Sequence, residues 1–195
     1  MKEYYDLRAP EYDEWYDGTY YDGDERERFL AEVADVERVV ATLPPARTLD
    51  VACGTGFLTR HLAGDVTGLD WSERMLSIAR TAAPSVSYVR GDALELPFGD
   101  SSFDRIFTGH FYGHLEEPER LRFLAEARRV APQLVVADAA VRPNHERAEW
   151  QQRSVSDGSV WPVYKRFFAP EALLVELGGG DMLFAGDWFV VVSSP

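Results

Sequence analysis

The chain has one cysteine in 195 residues, Cys53. That excludes an intramolecular disulfide and leaves no cysteine cluster to hold a metal. Long apolar runs are also missing: nothing approaches the roughly 18 to 20 residues needed to span a bilayer. The opening Met1-Lys2-Glu3-Tyr4-Tyr5-Asp6 lacks the basic and apolar regions of a signal peptide, so a cytoplasmic location is expected. Basic residues are scarce, 20 Lys and Arg against 33 Asp and Glu, for a net charge of -13. A partner bound through its phosphate backbone needs clustered cations, so nucleic acid is not an expected partner. Internal repeats, low-complexity tracts and linkers are absent as well. What remains is a chain that is 46% hydrophobic, long enough for one good core and short for two.

The pattern along that core is strand, helix, strand, helix, strand. Asp24 to Leu43 carries Phe29, Leu30, Val33, Val36, Val39, Val40 and Leu43 at helical spacing, and Pro44-Pro45 ends the run. Leu58 to Ala63 and Ser72 to Ala82 read as crossover helices, the second capped by Ser72. Phe103 to Thr108 and Leu134 to Val141 are predicted strands around a Pro118 to Val130 helix. Pro170 to Leu177 is a predicted helix stopped by Gly178-Gly179-Gly180, followed by strands Asp181 to Ala185 and Trp188 to Ser193 joined tightly at Gly186-Asp187. Such alternation predicts an α/β fold with a mostly parallel sheet.

The run Thr48-Leu49-Asp50-Val51-Ala52-Cys53-Gly54-Thr55-Gly56 is a buried strand leading into two glycines, a turn that lets a ligand approach the backbone. Asp50 is a carboxylate in an otherwise apolar strand, where desolvation demands a partner. A pyrophosphate there would be repelled. Thr59 also occupies the place of the third glycine of a dinucleotide turn. A cofactor with an amino group and a sulfonium suits this turn better, which points to S-adenosylmethionine. Two more strands end in acids. Asp65-Val66-Thr67-Gly68-Leu69-Asp70 places Asp70 where ribose hydroxyls are usually held, and Val86-Ser87-Tyr88-Val89-Arg90-Gly91-Asp92 places Asp92 within reach of an adenine amine, beside Ala93 and Leu94.

Leu49 to Gly56, Gly68-Leu69-Asp70-Trp71-Ser72-Glu73-Arg74-Met75-Leu76, Gly91 to Phe98 and Phe103-Asp104-Arg105-Ile106-Phe107 together resemble the class I S-adenosylmethionine-dependent methyltransferases, over roughly residues 47 to 141. The resemblance implies a three-layer, doubly wound, seven-stranded Rossmann-like sheet with a reversed last strand. It also implies a cofactor site built from Tyr5, Tyr12, Asp50, Ala52, Cys53, Gly54, Thr55, Gly56, Asp70, Trp71, Met75, Asp92, Ala93, Leu94 and Gly109. Cys53 itself reads as a small residue packed under the turn. A single domain is expected, with an N-terminal helical lid (1–43), a cofactor-binding core (44–141), an acceptor-facing insertion (142–169) and a C-terminal helix and hairpin (170–195).

The aromatic opening from Tyr4 to Tyr16 resembles the lid of small-molecule methyltransferases; a simple anchor for the N-terminal helix is the other reading. His110 and His114 follow the fourth strand, four residues apart. Either is a candidate general base or a structural histidine. A metal pair is disfavoured, because no third ligand is evident. From Arg142 to Phe168 the charge balance reverses to five basic and three acidic residues interleaved with aromatics, and Asp157-Gly158 reads as a turn that folds Val160 to Phe168 back as a flap. Tyr16, Arg153, Lys165 and Arg166 are the candidate acceptor-binding residues. The segment resembles that of small O-methyltransferases, one type of which esterifies a phosphonate. The expected activity is methylation of a small molecule, on oxygen of an anionic or hydroxylated metabolite. An N-methyltransferase, an aminopropyl transferase and a regulatory protein that holds the cofactor without turnover are the alternatives.

Overall fold

The computed structural model describes residues 2–143 and 146–195. Met1 and Asn144-His145, within the predicted lid and insertion ranges, lie outside the described residues. Seven strands form one sheet in the order β3 (Ser87–Arg90), β2 (Gly64–Asp70), β1 (Ala46–Val51), β4 (Arg105–Gly109), β5 (Gln133–Ala139), β9 (Phe189–Ser194), β8 (Asp181–Ala185). Every pairing from β3 to β5 is parallel. β9 runs antiparallel to both β5 and β8, which gives the expected reversed last strand.

Alternation along the strands creates the layers. In β5, Val135 and Ala137 pack with helix α2 (Gly23–Thr42), whereas Leu134 and Val136 pack with α4 (Glu117–Val130) and α5 (Pro170–Leu177). A strand sends successive side chains to opposite faces, so these apolar runs require cover on both sides. The caps follow local chemistry. The Ser72 hydroxyl accepts from the Met75 N–H at 3.2 Å to start α3 (Glu73–Ala82), Glu116 and Glu119 form a capping box on α4, and Gly178 ends α5 in the left-handed region.

One predicted helix does not form. Leu58 to Ala63 is only a short 3-10 turn, Thr59–His61, because Leu62 returns to extended backbone two residues before β2 begins. The insertion forms β6 (Ala148–Ser154) and β7 (Val160–Arg166), an antiparallel pair apart from the main sheet and folded at Asp157-Gly158. The chain opens with α1 (Lys2–Arg8) and a 3-10 segment, Ala9–Trp15.

Candidate active site

The site lies at the carboxyl ends of β1, β2, β4 and β5, where an open parallel sheet binds its ligands. Ala52 and His110, just past β1 and β4, both have positive φ (59° and 54°), uncommon for residues with side chains and the kind of backbone strain that clusters at functional sites. Gly54 (φ 56°) completes the first turn. A Cβ there would point toward Tyr12, 3.9 Å away, so the missing side chain keeps the turn open to a ligand.

A cavity of about 180 Å³ is formed by these strand tips and roofed by the N-terminal segment. Asp70, Trp71 and Met75 line it on the β2 side, and Asp92, Ala93 and Leu94 beyond β3. Ala52, Gly54 and Gly109 form its floor, with Tyr5 and Tyr12 above. Asp70 is pre-set by two backbone donors, Gly54 N–H at 2.9 Å and Ser72 N–H at 2.8 Å, and Asp92 accepts from Leu94 N–H at 2.9 Å. Next to the cavity is a small recess shared by Tyr12, Ala52, Gly54 and Gly109 and deepened by Asp50, Cys53 and Thr55.

Asp50 is 1% exposed. Its Oδ2 accepts from the Thr59 hydroxyl at 2.6 Å, but Oδ1 is buried without a partner. Burial raises this carboxyl to about 7, against the Thr59 hydrogen bond and with help from the Asp70 charge. An orphaned, desolvated carboxylate oxygen is the chemistry an ammonium requires. The recess therefore fits the amino-acid end of S-adenosylmethionine, and the larger cavity, lined by the acids Asp70, Asp92 and Glu119 and by apolar side chains, fits its adenosyl end.

Of the expected positions, Gly56 and Tyr16 behave differently, whereas Thr55 and Cys53 line the recess. Gly56 lines neither cavity; a Cβ there would meet the Ala79 Cβ at 3.2 Å, so the position serves helix packing. Thr55 gives its hydroxyl to Asp13 at 2.6 Å and ties the turn to the N-terminal segment. The Cys53 thiol, raised by burial, sits close under Gly68, as a small packing residue would. Tyr16 was expected at the acceptor but stacks on Phe57 with ring centroids 3.6 Å apart and faces the recess.

A second cavity, about 510 Å³, adjoins the first, and Tyr12, His110 and His114 line both. Its walls come from the N-terminal segment, the β6–β7 pair and the end of β5. Among the described residues, Arg8, Arg142, Arg153 and Lys165 line it, and no carboxylate does. Lys165, 5% exposed, is not a free cation: its Nζ donates to Asp138 Oδ1 at 2.7 Å. Asp138 is wholly buried and also accepts from the Ala139 and Gly113 N–H groups, so Lys165 holds it well ionised. Arg166 reaches neither cavity. Its guanidinium forms a two-pronged pair with Glu176, at 2.8 and 2.5 Å, because alternation along β7 sends it to the opposite face from Lys165.

The histidines do not share a helix face, since Tyr112–His114 is one 3-10 turn, yet both reach the junction. The Tyr164 carbonyl lies 2.7 Å from His114 Nδ1, so that nitrogen carries the proton and Nε2 keeps its lone pair. Burial and the nearby Lys165 and Arg153 charges push the His114 imidazolium well below its ordinary range; burial takes His110 down to about 4. Both rings are neutral at pH 7. Among the described residues no cluster of three His, Cys, Asp or Glu could hold a metal ion, and no helix is long and apolar enough to cross a membrane.

Asp138 and the N-terminal residues Arg8, Trp15, Tyr20 and Tyr21 were not anticipated as cavity neighbours. Asp138 carried the same signal as Asp50, an acid inside an apolar strand. The aromatic density of residues 4 to 16 pointed to a covering segment but not to which of its faces meets which cavity.

Residues 48–133 match the family profile described as a methyltransferase domain. Demethylmenaquinone methyltransferase from Staphylococcus aureus (strain JH9) is 43% identical over 93 residues, which cover 43% of this chain and 38% of that protein. The match thus spans well under half the length of that relative. Among solved structures, a DhpI–SAM–HEP complex superimposes with a TM-score of 0.74 at 26% identity, covering 99% of this chain and 95% of that one, and a DhpI–SAH complex with 0.73 at 28%, covering 99% and 93%. Magnesium protoporphyrin IX methyltransferase from Synechocystis PCC 6803, at 16% identity over 98% of this chain and 96% of that one, shares the fold (TM-score 0.66). The sheet order is that of the class I S-adenosylmethionine-dependent methyltransferase fold, and residues 48–133 carry the matched methyltransferase domain.

Proposed function

We propose that the protein transfers a methyl group from S-adenosylmethionine to an oxygen of a small anionic acceptor. The observation that carries this reading is the 510 Å³ cavity, which meets the cofactor cavity at Tyr12, His110 and His114 and, among the described residues, is lined by four cations and no carboxylate in a chain of net charge -13. A cationic amine or polyamine would find no counter-charge on those walls, which disfavours N-methylation and aminopropyl transfer. A protein that only held the cofactor would have no use for an open cavity beside it.

When bound, the cofactor supplies an activated methyl group whose sulfonium is a good leaving group. Asp70 would hold the ribose, Asp92 the adenine amine and Asp50 the amino group. Arg153 and Lys165 would hold the acceptor by charge-assisted hydrogen bonds and orient one oxygen toward the junction. The Lys165–Asp138 pair fixes the ammonium in place before the acceptor arrives, so little reorganisation is needed. An oxyanion has no proton to lose. His110 and His114, neutral and weakly basic, then act by shape and by hydrogen bonding rather than as bases. Tyr5, Tyr12 and Trp15 exclude water from the junction, which favours an anionic nucleophile.

Incubation with deuterated-methyl S-adenosylmethionine and small carboxylic, phosphonic, phenolic and amine acceptors, read by mass spectrometry, tests the reading. Label is expected on acid oxygens. Label confined to amines or carbon would overturn it.

A further inference from the structure

Two guanidiniums line the acceptor cavity with no carboxylate partner among the described residues. Arg153 gives Nε and Nη2 to the Gln151 side-chain oxygen, and Arg8 reaches the Tyr20 hydroxyl at 3.5 Å with its guanidinium 6.0 Å from the Tyr4 ring. Lys165 is paired with Asp138, and Arg142 lies 3.4 Å from Glu25. A partly buried guanidinium that lacks a counter-ion costs free energy, which an incoming anion returns. Arg8 and Arg153 come from different walls, the N-terminal segment and the flap. Both line one cavity together with Tyr12, the residue that also lines the cofactor cavity.

Arg8 is also linked to the cofactor side through its own helix. Three residues earlier in α1, Tyr5 lines the cofactor cavity, with its ring centroid 6.2 Å from that of His114. Between them, Asp6 accepts from the Ser72 hydroxyl, two residues from the ribose-side Asp70, and the Asp6 carbonyl accepts from Arg74 at 3.3 Å. A single seven-residue helix thus presents Tyr5 to one ligand and Arg8 to the other.

We propose that Arg8 is a positioning residue that clamps the acceptor's anionic group against Arg153, so that lid closure makes acceptor and cofactor tighten each other's binding. This rests on the anionic-acceptor reading above. Each ligand favours the closed position of α1, and once one has closed it the other no longer bears that cost. Linkage makes the effect reciprocal.

The test is calorimetric titration of the full chain with S-adenosylhomocysteine, with and without saturating inorganic phosphate as the anion probe. In the unmodified protein, phosphate should lower the Kd about five- to tenfold, a typical coupling between linked sites. In Arg8→Ala the ratio of the two Kd values should fall below about twofold, and in Arg8→Lys, which keeps the charge but loses the two-pronged donor, it should be intermediate. The titration itself reports whether each variant is folded. If the unmodified protein does not bind S-adenosylhomocysteine, the methyltransferase reading fails. Binding that phosphate leaves unchanged or weakens overturns the coupling alone, and an undiminished phosphate effect in Arg8→Ala overturns the role of Arg8.

Discussion

Replacing Asp50 by asparagine should make the stability of the ligand-free protein less dependent on pH. The Asp50 carboxyl is raised from its ordinary 3.8 to about 7 by burial. Between those values the unfolded chain loses a proton that the folded chain keeps, so stability is lost as pH rises, by about 1.4 kcal/mol per unit, until the folded carboxyl also ionises. From pH 5 to pH 8 only the interval up to about 7 contributes, which amounts to roughly 3 kcal/mol. Asparagine does not titrate, so the stability of Asp50→Asn relative to the unmodified protein should improve by that amount over the range. For a chain of this length it corresponds to a relative Tm change of roughly 6 to 12 °C. The amide should also weaken S-adenosylhomocysteine at least about tenfold, because a charge-assisted hydrogen bond to the ammonium is worth about 1.5 to 3 kcal/mol. Thermal or urea unfolding at several pH values, paired with calorimetry, measures both effects. A stability gap that stays constant from pH 5 to 8 would show that Asp50 titrates as an ordinary surface acid and would refute the orphaned-carboxylate argument.

Three other outcomes are expected. Asp70→Asn should remove most of the Tm rise produced by S-adenosylhomocysteine while keeping the turn, since the amide oxygen can still accept from Gly54 or Ser72 N–H; an undiminished rise would remove Asp70 from the ribose site. Lys165→Ala should destabilise the fold by about 3 to 5 kcal/mol because it strands the buried Asp138 charge, whereas Arg153→Ala should leave stability within about 1 kcal/mol and raise the acceptor KM; equal urea midpoints for the two variants would contradict the buried pair. The kcat profile with an oxyanion acceptor should be flat from about pH 6 to 8, as both histidines stay neutral there; a rise in rate with a midpoint near the ordinary histidine value of 6.5 would restore one of them as a base.

Much of this molecule was legible in the sequence, for local reasons. Apolar strands broken by turn residues encode a layered sheet, and Gly54 is read directly as an open turn. An acid within an apolar strand announces a buried partner, which made Asp50 visible and would have made Asp138 visible by the same logic. The strand-tip acids Asp70 and Asp92 could be placed because strand ends are a property of short stretches of chain.

The choice of partner for each charge was settled by tertiary structure. Lys165 and Arg166 are adjacent and equally basic, yet β7 turns one toward Asp138 and the second cavity and the other toward Glu176. The neutrality of His110 and His114 arises from burial and from cations brought in by the flap, neither of which a His-x-x-x-His spacing conveys. Leu58 to Ala63 had helical spacing but too little chain before β2 to use it. Arg8 meets the acceptor cavity only because Asp13 bonds to Thr55 and Asp6 to Ser72, folding the lid over strand tips dozens of residues away. Local pattern specifies backbone conformation and the cost of isolating a charge; which charge is left to face a ligand depends on contacts that exist only once distant segments have packed together.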